Sequence, residues 1–416
     1  MPKPARILLS STGTRGDVQP LLALALALQD RGQRCVFCVR PDFKAWVESY
    51  GFTCFSVGPG LRALARRNAK PTAYKPTWRE GREIARYTHT EQRRVLERAA
   101  FGCDLMLIAG PRQTAARSIA EAMRIPYIFA AYSPVSVSGP SYPPPRFRPG
   151  ARSQALPAWM NRVLWRCHDW IWNALFRRPL NEHRIALGLA PVADVSSHVA
   201  TDHPWIAADS VLGPAASTAP DRVTQTGAWL LTDTTPLPGF LEQFLDSSSD
   251  PPVYFGFGST TVRSDVARIM VEAARILGRR AILLRGWTDL AQPDGQSDCI
   301  LIDDINYERL FPRVAVIVHH GGAGTTNAAA RAGRPQLVIP HVDDQFYWAH
   351  RVHRLGIGTS LRSLEHLSAQ NVAAALRFCL APEVTRRAVA LAGRIELQGA
   401  KLAAERLIQR LSVAHA

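Results

Sequence analysis

The stretch that most limits what this chain can fold into is Val314-Ala315-Val316-Ile317-Val318, running into His319-His320-Gly321-Gly322-Ala323-Gly324-Thr325-Thr326-Asn327. A short apolar run ending in a glycine turn reads as a buried parallel strand, because helices cover both faces of such a sheet. Residues 328–332 then continue as helix. Glycines let backbone N–H groups approach an anion with no Cβ in the way. The helix N-terminus adds about half a positive charge at the same place. Thr325 or Thr326 can cap that helix or donate a hydroxyl. His320 can donate to a phosphate oxygen and steady a departing diphosphate. A glycine turn alone would be only a tight turn; His-His followed by Gly-Gly-x-Gly-Thr-Thr is far more specific.

The chain opens on the same unit. Residues 5–10 read as a strand, and Thr12-Gly13-Thr14-Arg15-Gly16-Asp17 as its turn. Pro20 starts a helix whose apolar face holds Leu21, Leu22, Leu24, Ala25 and Leu28, and Gly32 ends it. Residues 34–39 form the next strand, with further strands over 105–109 and 127–131 around a helix at 114–123. The pattern recurs at 253–259, with a helix over 264–277 and strands at 281–284, 300–302, 315–319 and 336–339. Residues 372–380 and 383–411 are helical by pattern.

A length of 416 residues exceeds one hydrophobic core, and two domains of about 200 residues each follow. The small, Pro-containing stretch 213–220 reads as the linker. The expectation is therefore an α/β chain with two Rossmann-like, doubly wound parallel-sheet domains facing across a cleft. Their bounds are 1–215 and 216–395, with a helix over 396–416 packing back on the first domain.

Charge and cysteines narrow the classes. Lys and Arg number 50 against 34 Asp and Glu, a net +16. That excess suits an anionic membrane surface or substrate, or simply a diffuse Arg-rich surface. No compact basic run joins a nucleic-acid motif, so nucleic acid is not expected as a partner. The longest early apolar run, 21–28, is too short to cross a bilayer, and no signal peptide is visible; the expected location is cytoplasmic, with peripheral contact at the inner membrane face as one use of the charge. Cys35 and Cys38 form a CxxC, but on a strand that spacing sends the thiols to opposite faces, so buried free thiols are expected.

Two further clusters suit chemistry. Asp344-Gln345, one strand–helix unit after the glycine loop, can grip vicinal hydroxyls, one side chain accepting and the other also donating. Asp17 sits at a strand–helix junction, where it either caps the helix or takes a proton from an attacking hydroxyl.

Residues 303–358 closely resemble the donor-binding signature of family-1, GT-B-fold glycosyltransferases, nearest the branch of sterol glucosyltransferases and bacterial enzymes that glycosylate antibiotics and lipids. The resemblance lies in Asp303-Asp304-Ile305 through Leu310-Phe311-Pro312, in His319 to Thr326, and in Asp344-Gln345 through Trp348, Arg351-Val352 and Leu355-Gly356. Gly13 to Pro20, Phe257-Gly258-Ser259 and Gly286-Trp287 are similar to other signatures of that branch; residues 60–240 lie outside the resemblance. It implies that His320 and the N–H groups of Gly322, Ala323, Gly324 and Thr325 hold the donor diphosphate, with Ser259 opposite and Thr14 and Arg15 on the donor side. Ile305 would meet the nucleobase through its backbone, with Trp287 beside it, and Asp344 and Gln345 would bind the sugar. Asp17 would be the base, where many relatives carry histidine. Asp343 stands where the branch usually has glycine, and Phe346 where it often has proline.

The implied reaction is inverting, metal-independent transfer of a hexose from a UDP- or dTDP-sugar to a hydroxyl of a hydrophobic acceptor: polyketide-like, sterol or lipid. No cofactor beyond that co-substrate is expected, and the chain would be a monomer or homodimer. One rival is an NAD(P)-dependent oxidoreductase, but Gly13-Thr-Arg-Gly16 does not fit Gly-x-Gly-x-x-Gly and Arg40, not an acid, ends the second strand. Another is a non-catalytic nucleotide-sugar or lipid-binding protein, against which both Asp17 and His320 are present. Residues 62–98 mix Arg66, Arg67, Lys70, Lys75, Arg79, Arg82 and Arg86 with Trp78 where such enzymes bind acceptors, yet read first as solvated helix faces. The aromatic stripe Trp165, Trp170, Trp172 and Phe176 reads as core packing ahead of acceptor contact.

Overall fold

The structure is a computed structural model; it describes residues 4–62, 77–145, 156–215, 223–258, 265–286, 294–362 and 367–414. Two parallel sheets carry the fold. The first has the order β3-β2-β1-β4-β5-β6-β7. Its strands are β1 (Arg6–Ser11), β2 (Arg34–Val39), β3 (Thr53–Ser56), β4 (Leu105–Ala109), β5 (Tyr127–Ala131), β6 (Trp205–Ile206) and β7 (Thr224–Gln225). The second, β10-β9-β8-β11-β12-β13, uses β8 (Val253–Gly256), β9 (Ala281–Leu284), β10 (Cys299–Ile302), β11 (Val316–His319), β12 (Gln336–Val338) and β13 (Gly358–Ser360).

Strand order reverses between β1 and β4 in one sheet and between β8 and β11 in the other. In open α/β sheets the crevice past the carboxyl ends of such a pair is where ligands bind. Both glycine turns singled out in the sequence leave from these strands. Ile7, Leu9 and Phe37 fill one side of the first sheet and Leu8, Val36 and Met106 the other, so each strand is apolar on both faces. Cys35 and Cys38 fall into those two opposite cores as free thiols.

Six helices carry the argument below: α1 (Arg15–Gln29), α2 (Trp78–Ala100), α3 (Ala158–Ala186), α4 (Ala323–Arg331), α5 (Gln345–Arg354) and α6 (Gly399–Ala414). α1 begins at Arg15, not at Pro20 as the proline suggested, and Pro20 lies inside it. A Thr14/Asp17 capping box supplies the earlier start. The expected helix over 383–411 is two helices, Pro382–Ala392 and α6, separated by residues 393–398. α6 packs against the first core through Ala403, Ala404, Leu407 and Leu411, the return crossing expected of it. β7 pairs with β6, so the first sheet runs past residue 215. Most of the stretch read as a linker, 216–220, lies outside the described residues.

Candidate active site

The two switch points face each other across a cavity of about 990 Å³. On the second-domain wall, β11 delivers His319 and His320, and α4 leaves from Gly322. His319 is fully buried; its Nε2 meets Gln336 Oε1 at 2.9 Å, and its Nδ1 accepts from the Gly321 N–H at 3.0 Å. It locks the turn. Burial pushes it down to about 4. His320 is different: its Nδ1 is buried without a hydrogen-bond partner among the described residues. Burial, then the neighbouring His319 and His341, push His320 down to about 3, so it meets a ligand as neutral imidazole.

The glycines have distinct work. Gly321 holds φ +89°, and a Cβ there would come within 2.8 Å of Val338. A Cβ on Gly322 would come within 2.5 Å of His320 Nε2. At Gly324 a Cβ would meet nothing within 4 Å, so that end of the loop faces open space. Thr326 does not cap α4; its hydroxyl donates back to the Gly322 carbonyl at 2.9 Å. Thr325 lines the cavity with Ala323 and Gly324. The first N–H groups of α4 have no partner within the helix, as in any α-helix.

Asp344 and Gln345 lie at the start of α5, past β12. Gln345 is buried, and its Oε1 accepts from the N–H groups of His341 at 2.8 Å and Val342 at 3.1 Å. That leaves its amide NH₂ as the side-chain group free to donate. Asp344 Oδ2 accepts from the Trp348 indole N–H at 3.1 Å. Ile305 also lines the cavity, with Asp304 beside it.

On the first-domain wall, Asp17 occupies the third position of α1. Its Oδ2 accepts from the Thr14 N–H at 2.7 Å and the Thr14 hydroxyl at 3.1 Å. A Cβ on Gly13 would overlap the Asp17 carboxyl, so only glycine leaves room for it. The Tyr132 hydroxyl donates to the Asp17 carbonyl at 2.7 Å. Burial raises the carboxyl above its ordinary range, against the lowering effect of the Thr14 bonds and the Arg112 cation. Asp17 thus closes the capping box of α1 and carries a carboxyl whose proton affinity burial raises.

Eleven of the thirteen residues given site roles from the sequence line this one cavity: Thr14, Arg15, Asp17, Ile305, His320, Gly322, Ala323, Gly324, Thr325, Asp344 and Gln345. Ser259 and Trp287 lie outside the described residues, though their neighbours Gly258 and Gly286 line it. Sequence reasoning missed two ion pairs across the cleft, Arg15–Asp304 at 2.5 Å and Arg112–Asp343 at 3.3 Å. Arg112 follows β4, and a switch-point argument applied to that strand was the available signal. The aromatic stripe divides. Trp165, His168 and Trp172 line the cavity, with the Trp165 indole donating to the Tyr142 carbonyl at 2.8 Å. Trp170, assigned to the core with them, is 66% exposed, because it projects from the opposite side of α3.

Comparison with known proteins adds the following. Residues 7–138 match the family model of the Glycosyltransferase family 28 N-terminal domain. Residues 294–399 match that of the Erythromycin biosynthesis protein CIII-like, C-terminal domain. The chain is 41% identical to the vancomycin aglycone glucosyltransferase of Amycolatopsis orientalis, covering 98% of each chain. It is 37% identical to the dTDP-epi-vancosaminyltransferase of the same organism, over 92% of each. The solved structure of glycosyltransferase VinC in complex with dTDP superposes with a TM-score of 0.68 over 98% of this chain and 99% of that one, at 19% identity, a likeness of fold.

Proposed function

This chain belongs to the antibiotic-type GT-B glycosyltransferase family, and from that premise we propose that it moves a hexose from a UDP- or dTDP-sugar to a hydroxyl of a hydrophobic acceptor, with inversion at the anomeric carbon. The observation that carries this reading is the opposition of Asp17 to the His320 loop in one cavity. The names of two relatives, a glucosyltransferase of an antibiotic aglycone and a dTDP-linked sugar transferase, support donor and acceptor of these classes.

In this reading the first domain holds the acceptor and the second holds the donor. The diphosphate lies against His320 and the first N–H groups of α4, which take up the charge that develops on the leaving group. No metal is needed in this reading, since the neutral His320 imidazole can donate an N–H to the diphosphate and the helix N-terminus supplies the positive field. Asp344 and the Gln345 amide hold the sugar, and Ile305 meets the base. The acceptor oxygen attacks from the Asp17 side while the bond to the diphosphate breaks on the other. Asp17 receives the hydroxyl proton, and its burial makes it a better acceptor for that proton than an ordinary carboxylate.

The test is Asp17→Asn, which keeps shape and the contact to Thr14 but removes the base. Turnover should fall by roughly 10²–10⁴-fold while nucleoside diphosphate affinity is retained. Turnover near wild type sinks the assignment of the base, and loss of nucleotide affinity moves Asp17 to the donor side.

A further inference from the structure

Helix α3 is two-faced. One side presents Trp165, His168 and Trp172 to the cavity. The other presents Trp159, Val163 and Trp170, at 61%, 47% and 66% exposure. Their spacing, four and then seven residues, places all three on one stripe of the helix. Trp78, at the start of α2, stacks on Trp170 with ring centroids 5.9 Å apart. The Arg82 guanidinium in turn lies 5.6 Å over the Trp78 ring. Large exposed aromatics gathered this way are unusual on a water-facing surface.

Arginine outnumbers acid around this stripe, with Asp169 on α3 and Glu80 and Glu83 on α2 as the acids beside it. Arg162 and Arg166 flank it and are exposed. Asp169, the one acid between residues 158 and 178, sits 3.3 Å from His168. Among the described residues no helix is long and apolar enough to cross a membrane. Indole rings ringed by arginine suit the interface of a bilayer, where the ring sits at headgroup depth and the cation meets lipid phosphate.

We propose that the outer face of α3, with Trp78, docks the protein on an anionic lipid surface and holds the acceptor half of the cleft beside it. Acceptors that partition into lipid would then reach the cavity along the helix whose inner face lines it. The use of such docking rests on the transfer reading above, but the docking itself is measured without turnover.

Cys167, the one exposed cysteine of seven, lies inside the patch and offers a reporter. Labelled there with an environment-sensitive dye, the protein should show a blue shift with vesicles of phosphatidylcholine mixed with phosphatidylglycerol, and little shift with phosphatidylcholine alone. Co-sedimentation of the unlabelled protein gives the partition constant. W159S/W170S should lower it roughly tenfold. R162Q/R166Q, which leaves the aromatics in place, should lower it roughly fivefold per arginine. Affinity for UDP or dTDP and turnover of a water-soluble acceptor should stay unchanged in both. Equal binding to neutral and anionic vesicles, or variants that bind like wild type, overturns the proposal. So does self-association abolished by W159S/W170S, which would make a second copy of the chain the occupant. Loss of turnover in Asp17→Asn leaves vesicle binding intact, so the two readings fail separately.

Discussion

Arg112 and Asp343 stand on opposite walls of the cleft and meet, Nη2 to Oδ2, at 3.3 Å. Asp343 reaches this point with φ +50°, a conformation that aspartate tolerates better than most residues. Both side chains act on Asp17, the cation lowering its proton affinity and the carboxylate raising it. Arg112→Gln should therefore move the acid limb of kcat/KM to higher pH, and Asp343→Asn should move it lower. Half-exposed charges are screened, so each shift should be roughly a few tenths of a pH unit. A pH–rate profile in low salt checks the sign, and shifts in the same direction would refute the pairing.

Gly13→Ala tests the space that the Asp17 carboxyl occupies. An added Cβ overlaps that carboxyl, so the side chain must leave its place beside Thr14. The expected loss is in kcat, roughly tenfold or more, with donor affinity held. Single-turnover kinetics alongside nucleotide titration separate the two effects.

The adjacent histidines should part company. His319→Ala leaves Gln336 Oε1 and the Gly321 N–H unpaired inside the turn, at a cost of about 1–3 kcal/mol in stability. His320→Ala removes a ring with an unpartnered buried nitrogen, so stability should hold while turnover and donor affinity fall. Thermal melts with and without nucleoside diphosphate distinguish them.

Acid should destabilise the protein through its buried imidazoles. His89 is pushed down to about 3, His198 and His319 to about 4, and His183 also downward, with burial the leading cause for each. An unfolded chain binds these protons near pH 6.5, before the folded one does. Their contribution is therefore complete above that pH and is lost as pH falls toward 4. The slope is up to about 1.4 kcal/mol per pH unit for each histidine. Denaturant titrations between about pH 7 and about pH 5 should show it. Replacing both His89 and His183 with Gln should lessen it, with His198 and His319 left to supply the rest.

Local sequence carried the parts of the fold that local physics decides. β2, β4 and β5 came out with their observed bounds because an apolar run between turn residues needs no distant partner to be read. Pro20 is the more conspicuous helix-start signal, but the Thr14/Asp17 capping box, equally present in the chain, sets where α1 begins. β6, β7 and β13 span two or three residues and exist only through pairing, so nothing within them announces a strand. Asp17 and His320 were legible from turn chemistry, and Arg112 could be placed at the cleft from its position after β4, but its meeting with Asp343 depends on how two domains face each other. Trp170 went astray because aromatic periodicity reports a stripe without saying which side of the helix is dry.

The chain passes between its two domains twice, and the passages touch. Gly227 holds φ +82°, and a Cβ on it would lie 3.1 Å from the Gly399 Cα; one on Gly399 would lie 2.5 Å from the Ala228 carbonyl. A side chain at either glycine would have to push the two passages apart, so the place where the chain leaves the first domain and the place where it returns are held to backbone-on-backbone contact.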